Sequence, residues 1–324
     1  MTISAKIVAD SISDEGIRIT TMQLRYPRLM HSELMTHRVF SRNASSSRAI
    51  PVAKLINDME TDEVYPAYWG RNKRGMQAGE EMNAPVVLNK SDFDFSSIKT
   101  DYLMDDILNF DEFDELALSR ESAWAFIRQL SIGVAKAFDT AGYHKQLINR
   151  ITENFGHINV VVTSTQWSNF YALRDHPDAL PEIQLLAKEM IKAQEESTPS
   201  NLSNDQWHLP YIDRSDIEEM LMTYDSSNGT DDIKEMLIKV SVARCARVSY
   251  LTHDGKKPEL SSDLKLYDRL LSSEPLHASP AEHQARPDKR MLNGGPYCLW
   301  QNQDLHGNLE GWIQYRKTLK GECQ

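Results

Sequence analysis

The chain has 324 residues, 40% hydrophobic and 26% charged, with 47 acidic against 36 basic side chains and a formal net charge of −11. That length holds one large or two ordinary domains with a sizeable core, and the composition is that of a soluble globular protein. The acidic balance excludes a general nucleic-acid coat, which needs a basic face, but leaves room for a local anion site.

The opening, MTISAKIVAD, has no long apolar run, and no stretch approaches the apolar length that spans a bilayer. The expectation is therefore a cytoplasmic protein without leader or membrane span. β structure is expected where Ile17, Ile19 and Thr21 alternate with Arg18, Thr20 and Met22. Pro27 suits the first turn of a helix running toward His37, with Met30 and Leu34 four apart on its buried face. Pro51 starts another helix. Residues 58–119 are acidic and irregular, and read as an elaborated surface region serving as a lid or an oligomer contact. From Ser122 to Phe138, Trp124, Ile127, Val134 and Phe138 suit the buried face of a core helix that stops at Gly142.

INVVVT within 158–163 is a β-rich run, and Ser164 or Thr165 is placed to cap a helix carrying Asn169 and Arg174. A helix with Pro181 in its first turn fits 179–195, the polar segment 196–210 reads as a loop, and helical patterns return at 231–246 and 262–273. In the tail, Gly307 and Gly311 mark turns, and Trp312, Tyr315 and Arg316 fit an amphipathic helix lying on the core. Cys245, Cys298 and Cys323 are odd in number and scattered, which suits free thiols. None sits in a donor-rich setting that would mark an activated nucleophile. No CxxC or HExxH spacing occurs, so no metal site is expected.

Two stretches lack carboxylates altogether, Leu34 to Asn57 and Asn154 to Arg174. The first contains THRVFSRNASSSR, with Arg38, Arg42 and Arg48, Asn43 and four serines. Arginine grips phosphate with two parallel hydrogen bonds, and small residues such as Ser45, Ser46 and Ser47 let backbone amides approach an oxyanion. A mononucleotide phosphate or a cofactor pyrophosphate suits such a loop. So does a solvated basic loop after a helix C-terminus, where cations are favoured in any case. His37 by itself reads equally as a helix-end histidine.

This run resembles the signature of the flavin-dependent thymidylate synthases, the ThyX family: Arg-His-Arg, two variable residues, Ser, a variable residue, Asn-Glu, a variable residue, Ser, a variable residue, Arg. His37, Arg38, Ser41, Asn43, Ser46 and Arg48 match in register. Thr36 stands in place of the first arginine, Ala44 in place of the glutamate, and Glu33 where glutamine is usual beside the nucleotide. A second block, QWSNFYALRDHPDALPEIQ, is similar to the family segment in which Asn169 fits a flavin contact and Arg174 the arginine on the pyrimidine. Asp178 replaces a frequent histidine there. Thr163, Ser164 and Thr165 replace an Asn-Ala-Arg flavin contact, and HKQLINRI resembles the helix that gives a phosphate-binding arginine, here Arg150. A third block, ARVSY at 246–250 and LHASPAEH at 276–283, resembles the family's N-terminal portion, with His277, Ser279 and Glu282 at flavin-lining positions. It follows the arginine signature here and precedes it in the family, which implies a circular permutation.

The resemblance implies an α+β fold with helices packed on a central, largely antiparallel sheet. It implies one catalytic domain over 1–324, with an acidic insertion at about 58–119 and a C-terminal extension at about 290–324. The implied reaction makes dTMP from dUMP with methylenetetrahydrofolate as carbon donor, FAD as cofactor and NADPH as reductant, in a homotetramer. In it Arg174 stabilises the pyrimidine anion, an electrostatic role suited to a permanent cation. Glu33, Ser46, Ser47, Arg48, Arg150 and Arg174 bind the nucleotide, the guanidinium groups converging on one pocket. His37, Arg38, Ser41, Asn43, Asn169, His277, Ser279 and Glu282 bind FAD. Two alternatives stay open. Glu33 can accept from a cytosine amino group, which suits dCMP methylation or hydroxymethylation. The departures from the signature suit a nucleotide-binding homologue that has lost catalysis.

Overall fold

A computed structural model describes residues 1–93, 115–223, 230–249, 258–271, 274, 276–291 and 299–322. Its fold is α+β around a five-stranded sheet. Strand β1 (Ser4–Ser13) turns at Gly16 into β2 (Arg18–Pro27), whose far edge pairs with β6 (His157–Ser164) and then β3 (Ser41–Ala44). All these pairings are antiparallel; only β7 (Ser200–Leu202) joins β1 in parallel. Gly16 has φ +77°, a conformation that costs glycine nothing.

Both faces of the sheet are covered. On one, Met22, Leu24, Tyr26, Val160 and Val162 pack against Phe170 of α5 (Ser168–Arg174) and Ile183, Leu186 and Met190 of α6 (Pro181–Glu195). On the other, Val161 meets Cys245 and Val248 at the end of α8 (Thr230–Ala246), and Ile19 meets Leu309 and Trp312. Two-sided cover explains why Ile19, Thr20, Thr21 and Met22 are all buried, where simple alternation would expose every second residue. Met30 and Leu34 are both buried, across the short helices Arg28–Met30 and α1 (His31–Met35). Helices α2 (Val52–Thr61), α3 (Arg120–Thr140) and α4 (Lys145–Ile151) share a second core of Ile56, Met59, Ile132, Ala135, Ile148 and Phe155. Gly142, at φ +83°, follows α3 as its stop.

Several expectations need correction. In α3 the buried residues are Arg128, Ile132 and Ala135, while Ile127 and Val134 are 45% and 39% exposed. The helix is apolar around most of its circumference, and the facing helices select one side. The segment 196–210 is not wholly loop, because Ser200–Leu202 extends the sheet. The tail forms strand β9 (Trp312–Gln314), paired with β8 (Ala285–Pro287), and not an amphipathic helix. Neither Ser164 nor Thr165 caps α5: its N-cap is Trp167, and Ser164 Oγ instead accepts from Gln166 N at 3.0 Å. Within 58–119, Val86–Asn89 (β4) pairs with Glu115–Leu118 (β5), and 94–114 lie outside the described residues, as do Tyr250, residues 272–273, Cys298 and Cys323. Helices α7 (Arg214–Thr223) and α9 (Leu260–Leu271) flank α8, joined by a buried cluster. There Arg244 binds Asp216 through two nitrogens (2.7 and 2.8 Å) and Asp263 through Nε (2.9 Å). No described helix is long and apolar enough to cross a membrane.

Candidate functional site

Helix α1 ends at Met35, and Arg42 caps it by donating to the carbonyls of Met35 (2.8 Å) and His37 (3.2 Å). This fixes the turn between α1 and β3. His37 then points into the core edge, edge-on to Phe170 at 4.8 Å, while Phe40 tilts on Trp167 at 4.8 Å. These ring contacts seat α5 on the donor-rich segment and bring Arg174 to it. Arg174 Nε donates to His37 Nε2 (2.9 Å), Nη1 to Glu33 Oε2 (3.1 Å) and Nη2 to Thr36 Oγ1 (3.0 Å). Burial, with Arg174 and Arg42 nearby, holds His37 below the usual imidazole range. The ring is thus neutral and accepts from the guanidinium. Three residues of the first carboxylate-free segment, or at its edge, thereby orient the arginine that closes the second.

Beyond β3 a second group forms. Ser47 is buried, its Oγ donating to Glu153 Oε1 (2.7 Å), which also pairs with Arg28 (3.0 Å). Asn149 Nδ2 donates to the carbonyls of Ser47 (2.7 Å) and Ile50 (2.9 Å), and Lys145 Nζ to that of Ala49 (2.9 Å). Helix α4 therefore carries Arg150 beside the loop that carries Arg48. Both arginines are exposed, as is Arg38, and none of the three has a side-chain partner among the described residues. A cavity of about 20 Å³ lies beneath this loop, lined by Arg28, Ser45, Ser47, Asn149, Glu153 and His157. That is room for one water, too small for a nucleotide.

The third block packs against β3 from the other side. With the Asn43 amide turned to satisfy its neighbours, Nδ2 donates to Arg42 O (3.0 Å) and Ser279 O (3.2 Å). Glu282 is half-buried against Arg316, and burial raises its carboxyl above the ordinary range despite that partner. Ser41 is buried and hydrogen-bonded to Asn308 (3.1 Å) and Gln314 (3.3 Å). Asn169, His277 and Ser279 are exposed, the first on α5 and the others at the short helix Ser279–Glu282.

So Glu33, Thr36, His37 and Arg174 come together, and Asn43, Ser279 and Glu282 gather along β3. Ser46, Ser47, Arg48 and Arg150 gather past its far end. Arg174's group lies at the start of β3 and that of Arg48 and Arg150 past its end, and among the described residues no hydrogen bond or ion pair joins the three guanidinium groups. Glu153, Asn308 and Gln314 hold the site from behind and carry no local sequence signal. Arg42, read from the sequence as one of the phosphate-gripping arginines, instead caps α1. Burial pushes the Cys245 thiol up, an inert setting. Among the described residues, no group of His, Cys, Asp and Glu could hold a metal ion.

No protein-family model and no curated protein matches the chain. Among solved structures, it is similar to thymidylate synthase X from Helicobacter pylori with FAD and dUMP, at 17% identity over 54% of this chain and 67% of that one, TM-score 0.31. It is also similar to a UMP/dUMP methylase, PolB, from Streptomyces cacaoi bound with 5-Br UMP, at 15% identity over 60% and 89%, TM-score 0.37. At that distance the chemistry of the site has to carry the functional reading.

Proposed function

We propose that the chain is a flavin-dependent thymidylate synthase, converting dUMP to dTMP with methylenetetrahydrofolate, FAD and NADPH. The observation that carries this reading is the junction of Arg174 with His37 and Glu33. It joins two sequence blocks that resemble the same family for separate reasons. The third block also lies against this segment, where Ser279 O accepts from the Asn43 amide.

The donor set fits phosphate-bearing guests. In a chain of net charge −11, Arg38, Arg48 and Arg150 are exposed and lack acidic partners among the described residues. Arg48 and Arg150 hold the 5′-phosphate, with Ser46 and the backbone amide of Ser47 adding donors. Arg38, Asn169, His277 and Ser279 meet FAD from the surface, and Ser41, Asn43 and Glu282 shape the floor beneath it. The isoalloxazine, when bound, supplies the redox chemistry. Arg174 lies against the pyrimidine edge and stabilises the anion that makes C5 nucleophilic. Its aim is set by Thr36 and Glu33, and the neutral His37 orients it without cancelling its charge. The whole chain acts as one domain, and a homotetramer brings the His37 end of one copy to the Arg48 end of another.

Glu33 favours a second reading. A carboxylate 3.1 Å from Arg174 can accept from a cytosine amino group, which suits dCMP. Purified protein is first examined for flavin absorbance, then assayed with dUMP or dCMP, NADPH, FAD and methylenetetrahydrofolate. Tetrahydrofolate release together with dTMP, dependent on FAD and NADPH, supports the proposal, whereas dihydrofolate release makes the folate itself the reductant and counts against a flavin-dependent reaction. Product from dCMP without dTMP from dUMP replaces it with the second reading. Colourless protein that takes up no FAD rejects both in favour of a nucleotide-binding homologue.

A further inference from the structure

An open cleft of about 570 Å³ lies outside the groups around Arg174, Asn43 and Arg48 and shares no residue with them. One wall is the turn 203–205, which follows β7; the other is 286–289, running on from β8 with Gln301 and Asn302 beside it. The walls are pinned through the backbone. Gln206 N donates to Ser203 O (3.0 Å), Asp288 N to Gly311 O (3.0 Å) and Gln301 N to Lys289 O (2.9 Å). Among the described residues Pro287 is the single apolar side chain of the lining, and no aromatic ring belongs to it. The cleft therefore suits a hydrophilic guest, and its volume is that of a small-molecule site.

Arg286 decides the charge of that guest. Its Nη1 is anchored on Asn204 O at 3.2 Å, while Nε and Nη2 have no partner among the described residues and are not sealed from solvent. Those two nitrogens form the side-on fork that takes two oxygens of one oxyanion. Elsewhere in this acidic chain a half-buried arginine turns that fork to an acid: Arg18 donates from Nε and Nη2 to the two oxygens of Asp10, at 2.9 and 2.6 Å. Lys289, exposed on the same wall, is also without a partner among the described residues. Two carboxylates line the cleft as well. Asp288 is buried and saturated, accepting from Asn302 N (2.8 Å), Asn302 Nδ2 (2.8 Å) and His306 Nε2 (2.9 Å). With its nitrogen turned to Asp288, the Asn302 amide keeps Oδ1 without a partner among the described residues. Asp205 is exposed; its Oδ1 accepts from Ser203 Oγ (3.0 Å), and its Oδ2 takes no side chain among the described residues. The lining thus combines a fork of donors for an oxyanion with two acceptors for hydroxyl groups.

We propose that this cleft binds a phosphorylated polyol, with the phosphate on the Arg286 fork and Lys289 and the hydroxyls on Asn302 Oδ1 and Asp205. A bare anion would leave both acceptors unused and face Asp205 uncompensated. A neutral sugar would leave the Arg286 fork unused, and a nucleobase would find no ring to stack on. The assignment stands apart from the proposed function, because the two sites share no residue.

Calorimetry on the full-length protein tests this with ribose 5-phosphate and glucose 6-phosphate, and with inorganic phosphate and free ribose as the separate halves. At least one sugar phosphate should bind saturably and more tightly than either half. Arg286→Gln should weaken that binding about 10-fold or more. Lys289→Ala, at an exposed position that leaves the fold intact, should weaken it too. Asp205→Ala should weaken the sugar phosphate and not inorganic phosphate, and Arg48→Ala and Arg150→Ala should leave both unchanged. Binding that survives Arg286→Gln and Lys289→Ala but is lost in Arg48→Ala belongs to the other arginines and overturns the proposal. Inorganic phosphate binding as tightly as both sugar phosphates overturns the polyol, and no saturable binding of any of the four compounds overturns the site. None of these outcomes depends on FAD or dUMP.

Discussion

Two buried histidines make stability depend on pH in a window where few other groups act. His208 and His283 are held at about 3 by burial, against an ordinary 6.5. A depressed imidazole means that the unfolded chain binds more protons, so stability is complete above pH 6.5, declines as pH falls, and levels off only below about 3. In between, each histidine contributes a slope of about 1.4 kcal/mol per pH unit. From pH 7.5 to 4.5 the pair removes roughly 5 kcal/mol, a large part of the 5–15 kcal/mol typical of a folded protein. His31 and His37, lowered chiefly by burial, act in the same direction, and Glu282, raised by burial, acts against them. Asp62 is half-buried, which alone would raise it, yet Arg25 and the terminal amine hold it low. Its stabilisation is lost only below the ordinary carboxylate range, outside the window. Urea unfolding followed by tryptophan fluorescence at pH 5.5 and 4.5 measures the slope. In His283→Gln, whose amide can still hydrogen-bond to Thr163, the slope should be about 1.4 kcal/mol per pH unit shallower than in the unmodified protein. Equal slopes in the two proteins would refute the claim that His283 stays neutral in its buried position.

Three further outcomes follow from the geometry. Arg174→Lys cannot donate at once to His37, Glu33 and Thr36, and should lower the rate of dTMP formation about 10²- to 10³-fold, with the thermal midpoint nearly unchanged. Arg48→Ala and Arg150→Ala, at exposed positions, should each weaken dUMP binding by calorimetry about 10- to 100-fold. Their stability should stay within about 0.5 kcal/mol of the unmodified protein, and a larger drop would mean a structural role. Asp216→Ala leaves the buried Arg244 short of its two-nitrogen partner; the expected loss is about 3–5 kcal/mol in urea unfolding, and a loss under 1 kcal/mol would contradict the buried pairing.

What could be read from the sequence was local. Met30 and Leu34 are buried together, though across two short helices and not one, the run at 158–163 makes an inner strand, and Pro181 opens a helix, because each rests on neighbouring residues. The reading of α3 held for Trp124 and Phe138, which pack on the second core. It failed for Ile127 and Val134, because that helix offers Phe126, Ile127, Leu130 and Val134 on one side and Ile132 and Ala135 on another, and only the facing helices choose. The tail was misjudged because Trp312–Gln314 owes its strand to a partner at Ala285–Pro287, far away in the chain. The site divides along the same line. Arg174 and His37 were named from their motifs, but nothing local reveals that Asn308 and Gln314 hold Ser41, or that His208 and His283 are tied together through two threonines.

The carboxylate-free stretch from Leu34 to Asn57 acquires a physical meaning from these contacts. Elsewhere in this acidic chain arginines find acids: Arg18 pairs with Asp10, Arg25 with Asp58 and Asp62, and Arg244 with Asp216. A carboxylate within that stretch would pair with Arg38 or Arg48 in the same way and compete with any phosphate. Keeping acids out leaves the guanidinium groups hydrated and available, and an incoming phosphate then has no internal ion pair to break. Arg174 differs, since Glu33 sits at the very edge of the stretch and already holds it. A neutral base edge can displace one arm of that contact, whereas a second anion would have to displace the carboxylate outright. On the proposed function, the two halves of the site are tuned to different guests, Arg48 and Arg150 to the phosphate and Arg174 to an uncharged ring that becomes anionic only as it reacts.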